Sequence, residues 1–476
     1  MNDEAIRNPG PSNGRGQGLR RRLVLGTALA TSAFLGGYRG YIRRALADCS
    51  PAGGIYTCSG ATTTTQVLSG TPLVVTTAPG FSIDTTGSGG NAFTPTGTGG
   101  LAFTELYISS ITGAASGIFA QNYGSGVLSI TTTGAVRGVS KNGIFARNAG
   151  SDLTIDATAV SGGSYGINAH NDGSGALSIT TTGLVTGVSD GIYANGYGTD
   201  LTISVATVTS GAYGINVVSN GSGVLSIAAA GTVTGELDGI FATKYHGTDL
   251  TISAASIVGK NNGIFAQSYG SGALSITTTG TVTGENSDGI YAINDGNGGL
   301  TISTAAVSGG AYGIYVENYG SGALSITATG KVTGGYDDGI FAKSQGTDLT
   351  IDAADVSGEA GGINAQNAGS GALSITATGT VTGMGGDGIY ALNNGSGALA
   401  VTASGAVTGT DDGIYARNNH GTDLIIKAAA VSGINDGIFA LNDGDGALSI
   451  TTTGAVTSTA GSGNRVARSG VSPITT

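Results

Sequence analysis

Two pairs of adjacent carboxylates could do chemistry: Asp337-Asp338 ahead of Gly339, and Asp411-Asp412 ahead of Gly413. Two carboxyl groups held close together are what glycoside hydrolysis needs, one as acid and the other as base or nucleophile. His246 and His420, each followed by a glycine, would add groups that titrate near neutrality. Repetition counts against this chemistry. An Asp precedes the same Gly-Ile pair at Asp190, Asp238, Asp288, Asp387 and Asp436. A catalytic residue departs from a repeat, whereas these follow one, so the expectation is a turn residue and no catalytic site. Asp443-Gly444-Asp445-Gly446 is similar to a calcium-binding turn, but such turns return about every nine residues. Here the period is far longer, and neither a metal nor a cofactor is expected.

The elements that must position these groups form a repeat. Gly-Ile-aromatic-Ala first occurs at Gly117-Ile118-Phe119-Ala120, and variants of it return through Gly437 at intervals of 23 to 26 residues, fourteen copies in all. A fixed period of this length marks a stacked-repeat architecture. Each repeat also carries Leu-Ser/Thr-Ile, as at Leu128-Ser129-Ile130, and a third segment centred on one Val, such as Val136. Apolar residues two apart share one face of a strand. Three short strands and three turns account for one coil, and Gly, Asn, Asp and Ser lie between them. The expected fold is therefore all-β: a three-sided parallel β-helix of about 14 regular coils, with glycines supplying corners of positive φ. Two coil types alternate, one with Ser-Gly-Ala-Leu-Ser-Ile and one with Gly-Thr-Asp-Leu-Thr-Ile, so the duplicating unit reads as a coil pair.

Composition agrees. Gly makes up 89 of 476 residues and Pro only 7, which excludes collagen. With 39% hydrophobic and 10% charged residues the chain is not of the disordered class. Residues 1–47 hold eight of the 19 basic residues and two of the 30 acidic ones, so the net charge of −11 conceals a remainder at −17. An acidic surface disfavours nucleic acid and anionic membrane as partners.

Arg20-Arg21-Arg22, an apolar run over 23–37 and Ala45-Leu46-Ala47 read as an export signal over 1–47. Residues 48–116 lack the period and are expected to form N-terminal capping coils. The array runs over 117–456, and 457–476 is expected to be an irregular tail. Cys49 and Cys58, nine residues apart in an exported chain, are expected to form a disulfide.

Strand alternation turns each Ile inward, the next residue outward and Ala inward. The outward column is Phe119, Phe145, Tyr193, Phe241, Phe265, Tyr291, Tyr315, Phe341, Tyr390, Tyr415 and Phe439, broken by Asn168, Asn216 and Asn364. An exposed aromatic ladder would dock carbohydrate or a partner surface, or would only stabilise adjacent coils.

The Ala-Asp-Cys start, Tyr56-Thr57-Cys58-Ser59-Gly60, Gly89-Gly90-Asn91-Ala92-Phe93, Gly99-Gly100-Leu101 and the Gly-Ile-Tyr-Ala coils together resemble the passenger region of bacterial autotransporters. The resemblance covers residues 48 to about 456 and does not include the family's outer-membrane barrel. It implies a right-handed β-helix that is exported and displayed at the cell surface or outer membrane or released, and that stays periplasmic without a translocator. It also implies a non-catalytic adhesin or stalk, with glycans or proteins of host or neighbouring cells as partners. The outer membrane would be engaged only through a missing or separate barrel. A β-helical polysaccharide-degrading enzyme is the competing class.

Overall fold

The computed structural model describes residues 48–52, 55–468 and 474–475, and among these the secondary structure is all strand, with no helix. The export signal expected over 1–47 lies outside the described residues. The strands wind into a parallel β-solenoid of about 16 turns, against the 14 regular coils expected. At about 4.8 Å per coil the stack is roughly 77 Å long.

The extra turns come from both flanks. Phe93 lies under Ile118, Leu73 and Leu101 under Leu128, and Ile83 and Ile111 under Val136, so residues 48–116 belong to the same stack. Phe81, Phe93 and Phe103 fill the core there, the last two with ring centroids 4.6 Å apart. One antiparallel pair, Asp48–Ala52 on Ile55–Ser59, lies at this end. Glu105 then ties the first coils to the array. Its two oxygens accept the backbone N–H groups of Tyr107, Ser109, Thr133 and Gly134. Burial alone would raise its pKa, but these hydrogen bonds outweigh burial and draw it below the ordinary glutamate value.

At the other end the expected irregular tail is corrected in part. Asn464–Arg468 pairs with Ile438–Asn442, and Ile474–Thr475 with Leu448 and Ser449. Backbone pairing does not need an apolar side chain, so Asn464 takes the place that Ile holds in earlier coils. The apolar pattern therefore stops before the ladder does.

Within the array, like stands over like. Ile118, Ile144, Ile167 and Ile192 are successive rungs, as are Leu128, Leu153 and Leu177, and Val136, Val160 and Val185. Nearly all of these are fully buried. The three-strand pattern holds with one change. In six coils, from Leu128–Gly138 to Leu250–Gly259, the Leu and Val segments run on as one strand of 10 or 11 residues; from Leu274–Thr278 onward they separate. The two coil types differ by one residue here: Leu128 to Val136 is eight steps and Leu153 to Val160 is seven. The register shift that this forces is confined to the corner, between Thr132 and Ala135 in the first case. A one-residue bulge there preserves the pairing on both sides.

The glycine expectation is corrected. Of the array glycines only Gly247 has positive φ; Gly60, Gly80, Gly89, Gly90 and Gly100 belong to the first coils. The glycine before each Ile is required by close approach instead. A Cβ on Gly339 would lie 2.5 Å from Val356 Cγ1 and 2.9 Å from the Gly362 carbonyl oxygen of the next coil.

A polar ladder runs beside the apolar ones. Four residues after Ile stands Asn122, then Asn148 and Asn171, and later Asn294, Asn318, Asn367, Asn393, Asn418 and Asn442, all buried. Asn393 Nδ2 donates to Asn418 Oδ1 at 2.9 Å, and to the Gly397 carbonyl at 3.0 Å, which closes its own turn. Lys244 fills this position once; it is fully buried, and its Nζ donates to the Gly223 carbonyl at 2.6 Å.

Two substitutions test these assignments by equilibrium unfolding. Asn393→Ala leaves buried groups without partners and is expected to cost about 1–3 kcal/mol. Gly339→Ala is expected to cost at least about 1 kcal/mol through overlap with Val356 and Gly362. An unchanged midpoint for Gly339→Ala would remove close approach as the reason for glycine.

Candidate functional site

The strand bearing Gly-Ile-aromatic-Ala begins at a turn, and the residue two before Ile sits on that turn's rim. The column of this position runs Tyr165, Asp190, Tyr213, Asp238, Asn262, Asp288, Tyr312, Asp338, Gly361, Asp387, Asp412, Asp436. Its carboxylates join coils. Asp238 Oδ1 accepts the Asn262 N–H at 2.9 Å, Asp387 Oδ1 that of Asp412 at 2.9 Å, and Asp412 Oδ1 that of Asp436 at 2.9 Å. Asp338 is engaged through both oxygens, with the Gly361 N–H at 2.8 Å and Asn364 Nδ2 at 3.1 Å. Of the aspartate pairs singled out in the sequence, Asp338 and Asp412 are therefore coil-to-coil links. Their neighbours Asp337 and Asp411 are half-buried and exposed respectively.

His246 and His420 are exposed and stand apart from these carboxylates. The five-residue strand Ile414–Asn418 separates Asp412 from His420. At about 3.3 Å per residue, that strand alone spans roughly 17 Å. No acid–base pair forms between them.

Asp387, Asp411 and Asp412 do converge, with one carboxylate oxygen from each within 4.8 Å of the others. A hard cation such as Ca²⁺ takes about six to eight oxygens. Here the Oδ1 atoms of Asp387 and Asp412 already accept backbone N–H groups, and Asp411 accepts from Asn435 Nδ2.

The aromatic column faces outward and is half-buried throughout. It divides into stacked runs. Phe119 lies on Phe145 at 4.6 Å. Phe241, Phe265, Tyr291, Tyr315 and Phe341 follow at 4.7, 5.0, 5.1 and 4.9 Å. Tyr390, Tyr415 and Phe439 follow at 5.0 and 4.7 Å. These spacings match the coil rise, so each ring inside a run has both faces against its neighbours. Stacking of this kind contributes about 0.5–1.5 kcal/mol per pair. Within a run only ring edges remain for a ligand, and open ring faces occur where the column breaks.

The breaks at Asn168 and Asn216 are partly filled. His170 lies 6.1 Å from Phe145 and 5.4 Å from Tyr193, with Tyr165 6.0 Å from Tyr193. Tyr213 lies 5.4 Å from Phe241. At the last rung Arg465 stands 5.4 Å over the Phe439 ring and 3.9 Å from Asp436. The sequence reading missed the rim tyrosines, the Asn ladder and Arg465. Fixed offsets from the repeating Ile are the signal that could have found the tyrosines and the Asn ladder; Arg465 lies in a coil where Asn464 replaces that Ile, and the sequence carries no such signal for it.

Cys49 and Cys58 face each other across the antiparallel pair and are joined by a disulfide with an S–S distance of 2.06 Å. Comparisons of the chain with family models, with curated proteins and with solved structures each return no match.

Burial pushes Asp288 and Asp387 up to about 6, and holds Asp190, Asp238, Asp338 and Asp412 above the ordinary carboxylate value. A carboxyl group whose folded pKa is raised binds its proton more tightly in the native state. Its contribution is fully favourable below the unfolded value near 4 and declines as pH rises toward 6. Thermal stability is expected to fall between pH about 4 and 6. Asp288→Asn keeps an acceptor for the Tyr312 N–H and should flatten that slope. A midpoint that rises through this window would overturn the assignment.

Proposed function

We propose that the chain is an exported passenger resembling those of autotransporters, a non-catalytic adhesin or stalk at the cell surface or released from it. The observation that supports this most is the use of the rim carboxylates. The groups best suited to acid–base work accept backbone N–H bonds from the next coil, in a position repeated along the array. Long, regular and acidic, such a body suits spacing and display, with surface glycans or proteins as partners. A disulfide-closed first hairpin fits an oxidising compartment.

The aromatic column separates adhesin from stalk. Replacing Tyr291, Tyr315 and Tyr390 together by Ser removes three rings and is expected to lower the melting temperature. In the adhesin reading it also lowers retention of array-coated beads on target cells, measured well below the melting temperature. Unchanged retention with lowered stability would leave the stalk alone.

A polysaccharide-degrading enzyme is the second reading, favoured by the convergence of Asp387, Asp411 and Asp412. Asp411 and Asp412 also line a cavity of about 370 Å³ with Tyr415 and Phe439. Reducing-end release from uronate polymers is expected to be absent. Turnover that disappears in Asp412→Asn would reverse the choice.

A further inference from the structure

The rim column has one vacancy. Tyr165, Tyr213 and Tyr312 each stand two residues before an Ile, and each packs its ring at a tilt against an outward aromatic of the next coil: Tyr193 at 6.0 Å, Phe241 at 5.4 Å and Phe341 at 5.9 Å. Gly361 occupies the same position before Ile363 and has no side chain. The equivalent partner, Tyr390, is stacked on Tyr415 on one side and meets Asn364, not a ring, in the neighbouring rung on the other. The space left is a cavity of about 160 Å³ lined by Gly361, Asn364, Tyr390 and, from the rim above and below, Asp338 and Asp387. Its floor is held in place: Asn364 donates to Asp338 Oδ2 at 3.1 Å and accepts from Gln366 Nε2 at 3.0 Å.

Shape and charge narrow the occupant. The three tyrosines show that a flat group fits between two rim residues and against the next ring. The charge comes from two carboxylates on one cavity, in an acidic chain, with Asp337, Asp411 and Asp412 on the same rim. Tyr213 and Tyr312 show that a neutral ring is tolerated between two rim aspartates; a planar cation meets the same shape and balances the charge as well. The molecule itself contains a group that meets both demands. At the last rung Arg465, from the following coil, lies over Phe439 and beside Asp436; Tyr390 and Asp387 offer a ring and a carboxylate of the same kind on the opposite side, toward the preceding coil. A guanidinium is planar, stacks on aromatic faces and donates in a fork that matches a carboxylate, which an ammonium does not.

We infer that the slot at Gly361, between Asp338 and Asp387 and against the open face of Tyr390, binds an arginine side chain presented by a partner protein. The biological setting rests on the surface-adhesin reading. The binding itself does not, because the slot is tested with the isolated full chain and a small probe.

Saturation-transfer NMR with N-acetyl-arginine amide reads weak binding from the ligand side. A dissociation constant on the order of 1 mM is expected, weakening several-fold in 0.5 M NaCl because the contact is ionic. Blocked lysine is expected to bind more weakly, and blocked tyrosine and methyl glucoside not at all. Gly361→Tyr installs the residue that equivalent coils carry. Its Cβ would meet Asp338 Oδ1 at 2.7 Å, so that carboxylate must shift; in equivalent coils Asp190 and Asp288 accept the Tyr213 and Tyr312 N–H groups at 3.4 and 3.1 Å, so aspartate and tyrosine coexist at this step. This variant is expected to lose affinity by at least roughly tenfold with its melting unchanged. Asp387→Asn, which keeps an acceptor for the Asp412 N–H, is expected to lose it too and serves if the first variant is unstable. Retained arginine binding in both variants, or preferential binding of the phenol or the sugar, overturns the proposal. Arginine binding without cell retention would instead discard the adhesin reading and leave the slot standing.

Discussion

The parallel backbone ladder between coils is the constraint on which everything else depends. Each strand bonds to the equivalent strand one coil away, at a spacing of about 4.8 Å and in exact alignment of like positions. No coil can close its own hydrogen bonds, so none is stable alone, and a stack is. In-register pairing turns every position of the repeat into a column, and a side chain chosen for one coil must tolerate a copy of itself above and below.

That requirement explains which residues fill the columns. Ile, Leu and Val pack on their own kind inside, with no polar atom to satisfy. Asn is accepted inside because its amide carries both donor and acceptor and passes a hydrogen bond along the stack, as Asn367, Asn393, Asn418 and Asn442 do. A column of like charges would repel, and the rim relieves this in two ways. Tyr or Asn interrupts Asp in alternate coils as far as Asp338, and burial raises the pKa of the carboxyl groups, so that each binds a proton more tightly than a free carboxylate does. Where alternation fails, at Asp387, Asp412 and Asp436, the carboxylates crowd, and Arg465 lies beside the last of them.

The same constraint limits function. Rings stacked at the coil rise cover one another, so a continuous aromatic column presents edges and offers no flat binding face. Recognition is confined to places where the repeat is broken. On the proposed reading, the functional content of the protein lies in its irregular rungs, here Asn364 and Gly361, and far less in the motif that first attracts the eye.

The sequence by itself determined the all-β solenoid, the inward Ile, Leu and Val columns and the outward aromatic column, because period and alternation are properties of a single strand. It also carried the Asn ladder at a constant offset from Ile, though an isolated Asn between turn residues reads as turn chemistry until its burial is known. Only the tertiary structure decided why Gly339 must be glycine, since the atoms that exclude a Cβ belong to Val356 at the end of its own coil and to Gly362 at the start of the next. Only it decided that Asp338 holds Gly361 and Asn364 in place, and that Gly361 leaves a slot against Tyr390. Those contacts lie between residues 17 to 29 positions apart that meet only once the coils are stacked, and one-dimensional spacing does not say which way a rim side chain turns to meet its neighbour.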